Sequence, residues 1–258
     1  MTWRFEPAAW WNDTGDHLWN QYLLVREAQH RSGSVFTSEL GFTPAGTDDL
    51  LSRGNGNVNF DFWLDGLGQK WQSARIGKWR LFTEAFVFQE GNEDYTFEAG
   101  GLVEHYTRED LTVSVETELV WSRDWLLWQE DTLLASFHKR EASVAANLNW
   151  FPAPSQELRV KLQWLGIDAY DATPYRLQPS GDLLESTDVV DDFRVNNLGL
   201  QIRYRWTFAP QSDFYVVYGR GGLEFQEGPR ERGLGGLFQD SVDLRDSDSL
   251  IVKARYRF

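Results

Sequence analysis

The chain has 258 residues, no cysteine and a formal net charge of −14 at pH 7. That length supports one domain, the missing thiols exclude disulfides, thiolate zinc sites and cysteine nucleophiles, and the charge argues against nucleic acid as a partner. Mean hydropathy is −0.49 and no apolar run is long enough for a transmembrane helix, yet 13 Trp, 17 Phe and 9 Tyr suit wide β surfaces or girdles at a membrane interface.

Taken in order, the chain alternates with period two and reads as strands. Thr2 to Trp11 is the first, with Pro7 demoting it to an edge or a bend. Asn12 to Asp16 is a turn, and strands follow at Leu18–Glu27 and Ser34–Phe42. Thr43 to Asn55 reads as a loop, Val58 to Leu64 as a strand, and Gly66 to Gly77 as a second loop. Lys78–Phe88, Tyr95–Glu104 and Leu111–Trp121 are strands joined by polar turns. Ser122-Arg-Asp124 reads as another turn, and Trp125–Phe137 as a returning strand with a bulge near Gln129 to Asp131. Ala142–Trp150 and Leu158–Trp164 flank the turn Pro152 to Ser155. After an acidic loop, Asp168 to Asp192, the stretch Leu198–Phe208 alternates most clearly of all. Phe214–Tyr218, a long loop at Gly219 to Asp248 and a closing strand from Ser249 complete the chain. No helix of ordinary length is expected, nor any interdomain linker.

The closing strand carries Leu250, Val252, Ala254, Tyr256 and Phe258 on one face and Lys253, Arg255 and Arg257 on the other. Such a strand, ending on an aromatic residue, fits the last strand of an outer-membrane barrel, apolar toward lipid and polar toward the lumen. Counted back from the C-terminus, the connections run long, short, long, short, as in barrels with long outside loops and short periplasmic turns. Trp10, Trp11, Phe88, Trp121, Trp125, Trp150, Phe151, Trp206, Phe208, Phe214, Tyr256 and Phe258 are then expected at the periplasmic ends, as one girdle. The expectation is an all-β fold, an antiparallel transmembrane β-barrel or the C-terminal part of one, of about a dozen strands. The strand count reads as odd, with the first strand descending from outside, and the N-terminus has no apolar signal segment. Residues 1–258 are therefore expected to be one barrel domain lacking N-terminal strands and an upstream domain.

Leu162 to Ala169, Asn196 to Tyr218 and Asp246 to Phe258 resemble the end of a bacterial outer-membrane barrel domain of unknown function. In that family the barrel usually follows an N-terminal sandwich similar to family-nine carbohydrate-binding modules. The resemblance covers the C-terminal part and fades before Leu111. It implies a barrel in the outer membrane and supplies no catalytic residues.

The period assigns basic lumen residues Arg159, Lys161, Arg203, Arg205, Lys253, Arg255 and Arg257, and acidic ones Glu84, Glu98, Glu104, Glu116 and Glu118, so one wall is expected to be basic and another acidic. Val252, Tyr256 and Phe258 are read as the barrel-assembly signal. The four histidines, His17, His30, His105 and His138, have no metal spacing. Glu116 and Glu118 share a strand face, which suits either glycosidase acid–base chemistry or a wet lumen wall. Asp188, Asp191, Asp192, Asp246 and Asp248 match no calcium loop and read as acidic loop residues. No cofactor or metal is expected. Expected partners are outer-membrane lipid, the barrel-assembly machinery and a glycan or small polar solute. The function read is a membrane anchor or pore of a larger cell-surface protein. The alternatives are a membrane-associated hydrolase acting on glycans and a soluble carbohydrate-binding β-sandwich.

Overall fold

Alternating side chains commit nearly the whole chain to strands, and short connections pair each strand with its sequence neighbour. A computed structural model describes residues 1–91, 94–228 and 233–257. It contains β1 (Thr2–Trp11), β2 (His17–Gln29), β3 (Val35–Asp48), β4 (Val58–Gln72), β5 (Trp79–Phe88) and β6 (Thr96–Arg108). There follow β7 (Leu111–Glu130), β8 (Leu133–Ala153), β9 (Gln156–Leu177), β10 (Leu183–Glu185), β11 (Phe193–Ala209) and β12 (Ser212–Glu227). A short helix, α1 (Leu234–Ser241), precedes β13 (Ser247–Arg255).

Among the described residues these form one 13-stranded sheet in which every strand but β10 lies on a single antiparallel path, β1 to β9 and then β11 to β13. The fold is one antiparallel up-and-down β-sheet. β1 and β13 are the edges of the path, no ladder joins them among the described residues, and β13 is exposed on both faces along its length. Pro7 lies opposite Tyr22 in edge strand β1, where a missing N–H is tolerated.

Several sequence expectations change. Ser122-Arg-Asp124 is not a turn but a register shift inside β7, between Ser122 and Trp125. The chain reverses instead at Asp131–Thr132, where Asp131 adopts the positive φ of 42° that a tight hairpin requires. Three expected strands from Leu111 to Trp150 thus become the single hairpin β7–β8. The strands on the path are then even in number, and β1 runs upward from the same end of the sheet at which β13 finishes. The odd count, and the descending first strand, are overturned.

With that reversal, Trp10, Trp11, Phe88, Trp121 and Trp125 move to the opposite end of the strands from Trp150, Phe151, Trp206, Phe208, Phe214 and Tyr256. The aromatics make two groups, one at each end, rather than one girdle. The expected loops also shrink. β3, β4, β9 and β12 run on to Asp48, Gln72, Leu177 and Glu227, past the polar and glycine residues that read as loop.

Candidate functional site: two opposed faces

Directly paired residues share a face of the sheet, so the ladders sort side chains without ambiguity. One row runs Leu250, Tyr218, Ile202, Val160, Leu148, Val113. Another runs Phe5, Leu24, Leu40, Leu67, Val87, Phe97, Trp121. Both rows lie on the same face, because Val113 and Trp121 are of like parity in an unshifted part of β7. The apolar stretch spans Leu198 to Phe208 on β11, Ala142 to Trp150 on β8, Leu111 to Trp121 on β7 and Phe97 to His105 on β6. Each is about ten residues tall, the length a tilted strand needs to cross hydrocarbon. The belt also climbs the register from β13 to β1.

Much of this belt is bare. Trp3 is 56% exposed, Val115 42% and Val252 58%, and Phe36, Leu67, Phe97, Leu119 and Leu250 are likewise exposed. A soluble sheet buries such a face against a second layer. Among the described residues α1 and the connection after it touch it: α1 lays Leu237 on Ala142, Trp164 and Leu198, and Leu244 packs beside them. The Trp164 indole N–H donates to Asn196 Oδ1 at 2.9 Å, and Asn196 Nδ2 donates to the Leu237 carbonyl at 2.8 Å. α1 therefore covers the upper end of the belt on β8, β9 and β11.

The other face carries the charges. Glu118, Glu84 and Lys70 lie in one row through Gly100, Glu116 lies opposite Leu102, and Glu98 lies opposite Val120. Glu104 is in line with Lys161 through Ser114 and Asn147. Arg159 faces Arg203 directly, Arg205 and Lys253 flank Tyr215, and Arg255 faces Asp213. All the lumen residues expected on strands thus share one face, acidic over β5–β7 and basic over β9–β13. Arg257 lies past the end of β13, its backbone N–H donating to Ser212 Oγ at 3.2 Å. Val252 is on the apolar face, and the Tyr256 ring stacks on Phe208 with centroids 6.3 Å apart. Phe258 lies outside the described residues.

The walls are less pure than the strand pattern implied. Lys70 Nζ is 3.2 Å from Glu39, and Lys139 Nζ is 2.8 Å from Glu90 and 3.5 Å from Glu141, so cations are set into the acidic wall. In the basic wall Arg159 Nε donates to Glu157 at 2.6 Å. Asp213 accepts from Thr207, Arg205 and Arg255. Glu141 and Glu157 sit at i±2 on the strand of their cation, Glu39 and Asp213 across one ladder, and Glu90 in the β5–β6 connection.

Above the belt the polarity of the two faces exchanges. Phe137, Ala169 and Phe193 cluster on the charged side, while Arg140, Asp168 and Arg194 are aligned on the other. At this end the chain from Gln178 to Asp192 is pinned by the Arg176 guanidinium, which donates from Nε and Nη2 to both oxygens of Asp188 at 2.7 Å. Those bonds, with one from Ser186, hold the Asp188 carboxyl well below the usual carboxylate range, at about 2. The ionised form is the one bound, so the clamp persists above that value and is lost as the pH falls through about 2. Both partners are partly exposed, so the effect is local. Pepsin cleavage within residues 178–192 is expected to stay slow at pH 4 and pH 3 and to rise toward pH 2; release already at pH 4 contradicts the clamp. Asp248 is held by Arg245, and Asp246 accepts the Leu223 N–H at 2.7 Å, so both carboxylates serve the β12–β13 connection.

No known protein family matches the chain, and no curated protein matches it. Among solved structures it is similar to LpxR from Salmonella typhimurium, at 10% identity and a TM-score of 0.31, over 81% of this chain and 84% of that one. A likeness at that level fixes neither closure of the sheet nor an activity.

Proposed function

We propose that this chain forms the wall of a transmembrane β-barrel in a bacterial outer membrane, its apolar face toward lipid and its charged face toward the lumen. The observation that supports this reading is the exposed apolar belt, about ten residues tall on strand after strand and slanted across the register. Exchange of face polarity above the belt is what a barrel extending past its membrane into water requires. The free edges of β1 and β13 leave room for closure by further strands. On this reading Val252, Tyr256 and Phe258 form the assembly signal read by the barrel-assembly machinery, and the domain anchors, or forms the pore of, a larger cell-surface protein. A chain that stays monodisperse in buffer without detergent contradicts it, because a bare belt of this area aggregates in water.

Pore and anchor differ in the lumen. Arg203 and Arg205 lie on the basic wall, their guanidiniums 5.6 and 5.8 Å from the Tyr215 ring. In a water-filled lumen the Debye length of about 8 Å at physiological salt leaves each wall its own local field. Changing both arginines to glutamine is expected to shift planar-bilayer conductance toward cation selectivity. Absence of conductance in both proteins assigns the domain to anchoring.

A further inference from the structure

At the loop end of β1–β4 lies a pocket of ≈ 340 Å³ whose walls include Trp10, Trp19, Phe60, Trp63, Asp48 and Asp65. That volume is at the lower end of small-ligand sites, about 300–1,000 Å³. Trp10 and Trp19 are register partners, with rings 5.9 Å apart at 29°, and Phe60 meets Trp63 edge to face at 5.4 Å. Two aromatic pairs from neighbouring hairpins therefore share one cavity.

The backbone is shaped for it. Gly41 pairs with Gly66 but Phe42 with Leu64, so Asp65 is the extra residue of a bulge, a device that re-aims a side chain. Asp65 joins the pocket lining. A Cβ on Gly46 would come within 2.9 Å of both the Phe60 ring and the Trp19 Cβ, so glycine there lets the two rings approach.

The chemistry is one-sided. No Lys, Arg or His lines the pocket, and two carboxylates do. The hydroxyl of Thr43 donates to Asp65 at 2.9 Å, and the Trp63 indole N–H donates to the Gln89 carbonyl at 2.8 Å. The Gln89 side-chain oxygen accepts the Leu64 N–H at 2.7 Å. The Thr43 and Trp63 donors are thus committed to the wall, and two carboxylates and four aromatic rings dominate the rest of the lining. A cation needs neither donor nor counter-ion beyond what is present, and aromatic rings with carboxylates are the setting in which alkylammonium groups are held.

We propose that this pocket binds a small organic ammonium, a methylated or quaternary amine, between the aromatic pairs and against Asp48 and Asp65. The inference does not depend on which face of the sheet meets lipid. The test is calorimetric titration of the full chain in detergent with three probes: choline, its uncharged carbon isostere 3,3-dimethylbutan-1-ol, and maltose. Choline is expected to bind saturably at one site, with the isostere at least about ten-fold weaker. Asp48→Asn keeps the acceptor that caps the Leu50 and Leu51 N–H groups and removes the charge, so it is expected to weaken choline binding several-fold with the circular-dichroism spectrum unchanged. Equal binding of choline and the isostere marks an apolar slot and overturns the proposal. Maltose binding without choline binding marks a saccharide site, and no saturable heat with any probe marks an unoccupied crevice; either overturns it too.

Discussion

Val115→Arg is expected to destabilise the protein in lipid by about 2–4 kcal/mol, the cost of a cationic side chain at the midplane of a barrel's lipid face. Val115 is mid-belt on β7, between Val103 on β6 and Ala146 on β8. Those neighbours offer no carboxylate to pair with an arginine. Glu116, one residue on, lies on the other face opposite Leu102, and Glu116→Gln is expected to stay within about 0.5 kcal/mol, as for an ordinary solvated substitution. Urea titration of both variants refolded into vesicles measures the difference. Since whole domains are stable by only about 5–15 kcal/mol, the first variant loses a large share of its margin. A tolerant Val115→Arg alongside a damaging Glu116→Gln would invert the facing of the whole sheet.

Lys139→Met is expected to cost about 3–5 kcal/mol, the range for removing one partner of a buried ion pair. The Lys139 side chain is only 4% exposed and reaches Glu90 and Glu141, with its ammonium 4.7 Å from the Trp125 ring. Without it two carboxylates face the acidic wall with no cation between them. Methionine preserves the stem's packing, so the loss reads the charge. Adding Glu90→Gln is expected to recover part of the loss, and a double-mutant cycle in denaturant isolates that coupling. Strict additivity would show that the pair is not coupled.

How much of this was legible in the sequence depends on where a residue lies relative to the belt. Within it each face keeps one polarity, period two holds, and Leu198 to Phe208 declares both β11 and its facing. The same rule places every lumen charge expected on a strand on one face. Above the belt the rule breaks. Phe137 and Phe193 sit on the side that carries charge lower down, and Arg140 and Arg194 on the side that is apolar lower down. A stripe that changes face looks like an interruption, so Ser122-Arg-Asp124 read as a turn and one hairpin read as three strands. Counter-ions Lys70 and Asp213 were hidden for a different reason: each is set by pairing between strands, and pairing has no local signal; Lys139 meets Glu90 across a connection, which has none either. The pocket at Asp65 was hidden by its bulge, which breaks the alternation that would have shown its facing.

The belt's orientation is the claim on which the rest stands, and the absence of cysteine makes it directly measurable. Single cysteines at successive positions from Leu111 to Trp121, each spin-labelled in lipid vesicles, report collisions with oxygen, which partitions into hydrocarbon, and with a water-soluble nickel complex. The account predicts a period of two, with oxygen favoured at Val113, Val115, Thr117 and Leu119 and the nickel complex at Ser114, Glu116 and Glu118. Labels equally accessible to the nickel complex on both faces, or the opposite phase, would contradict it.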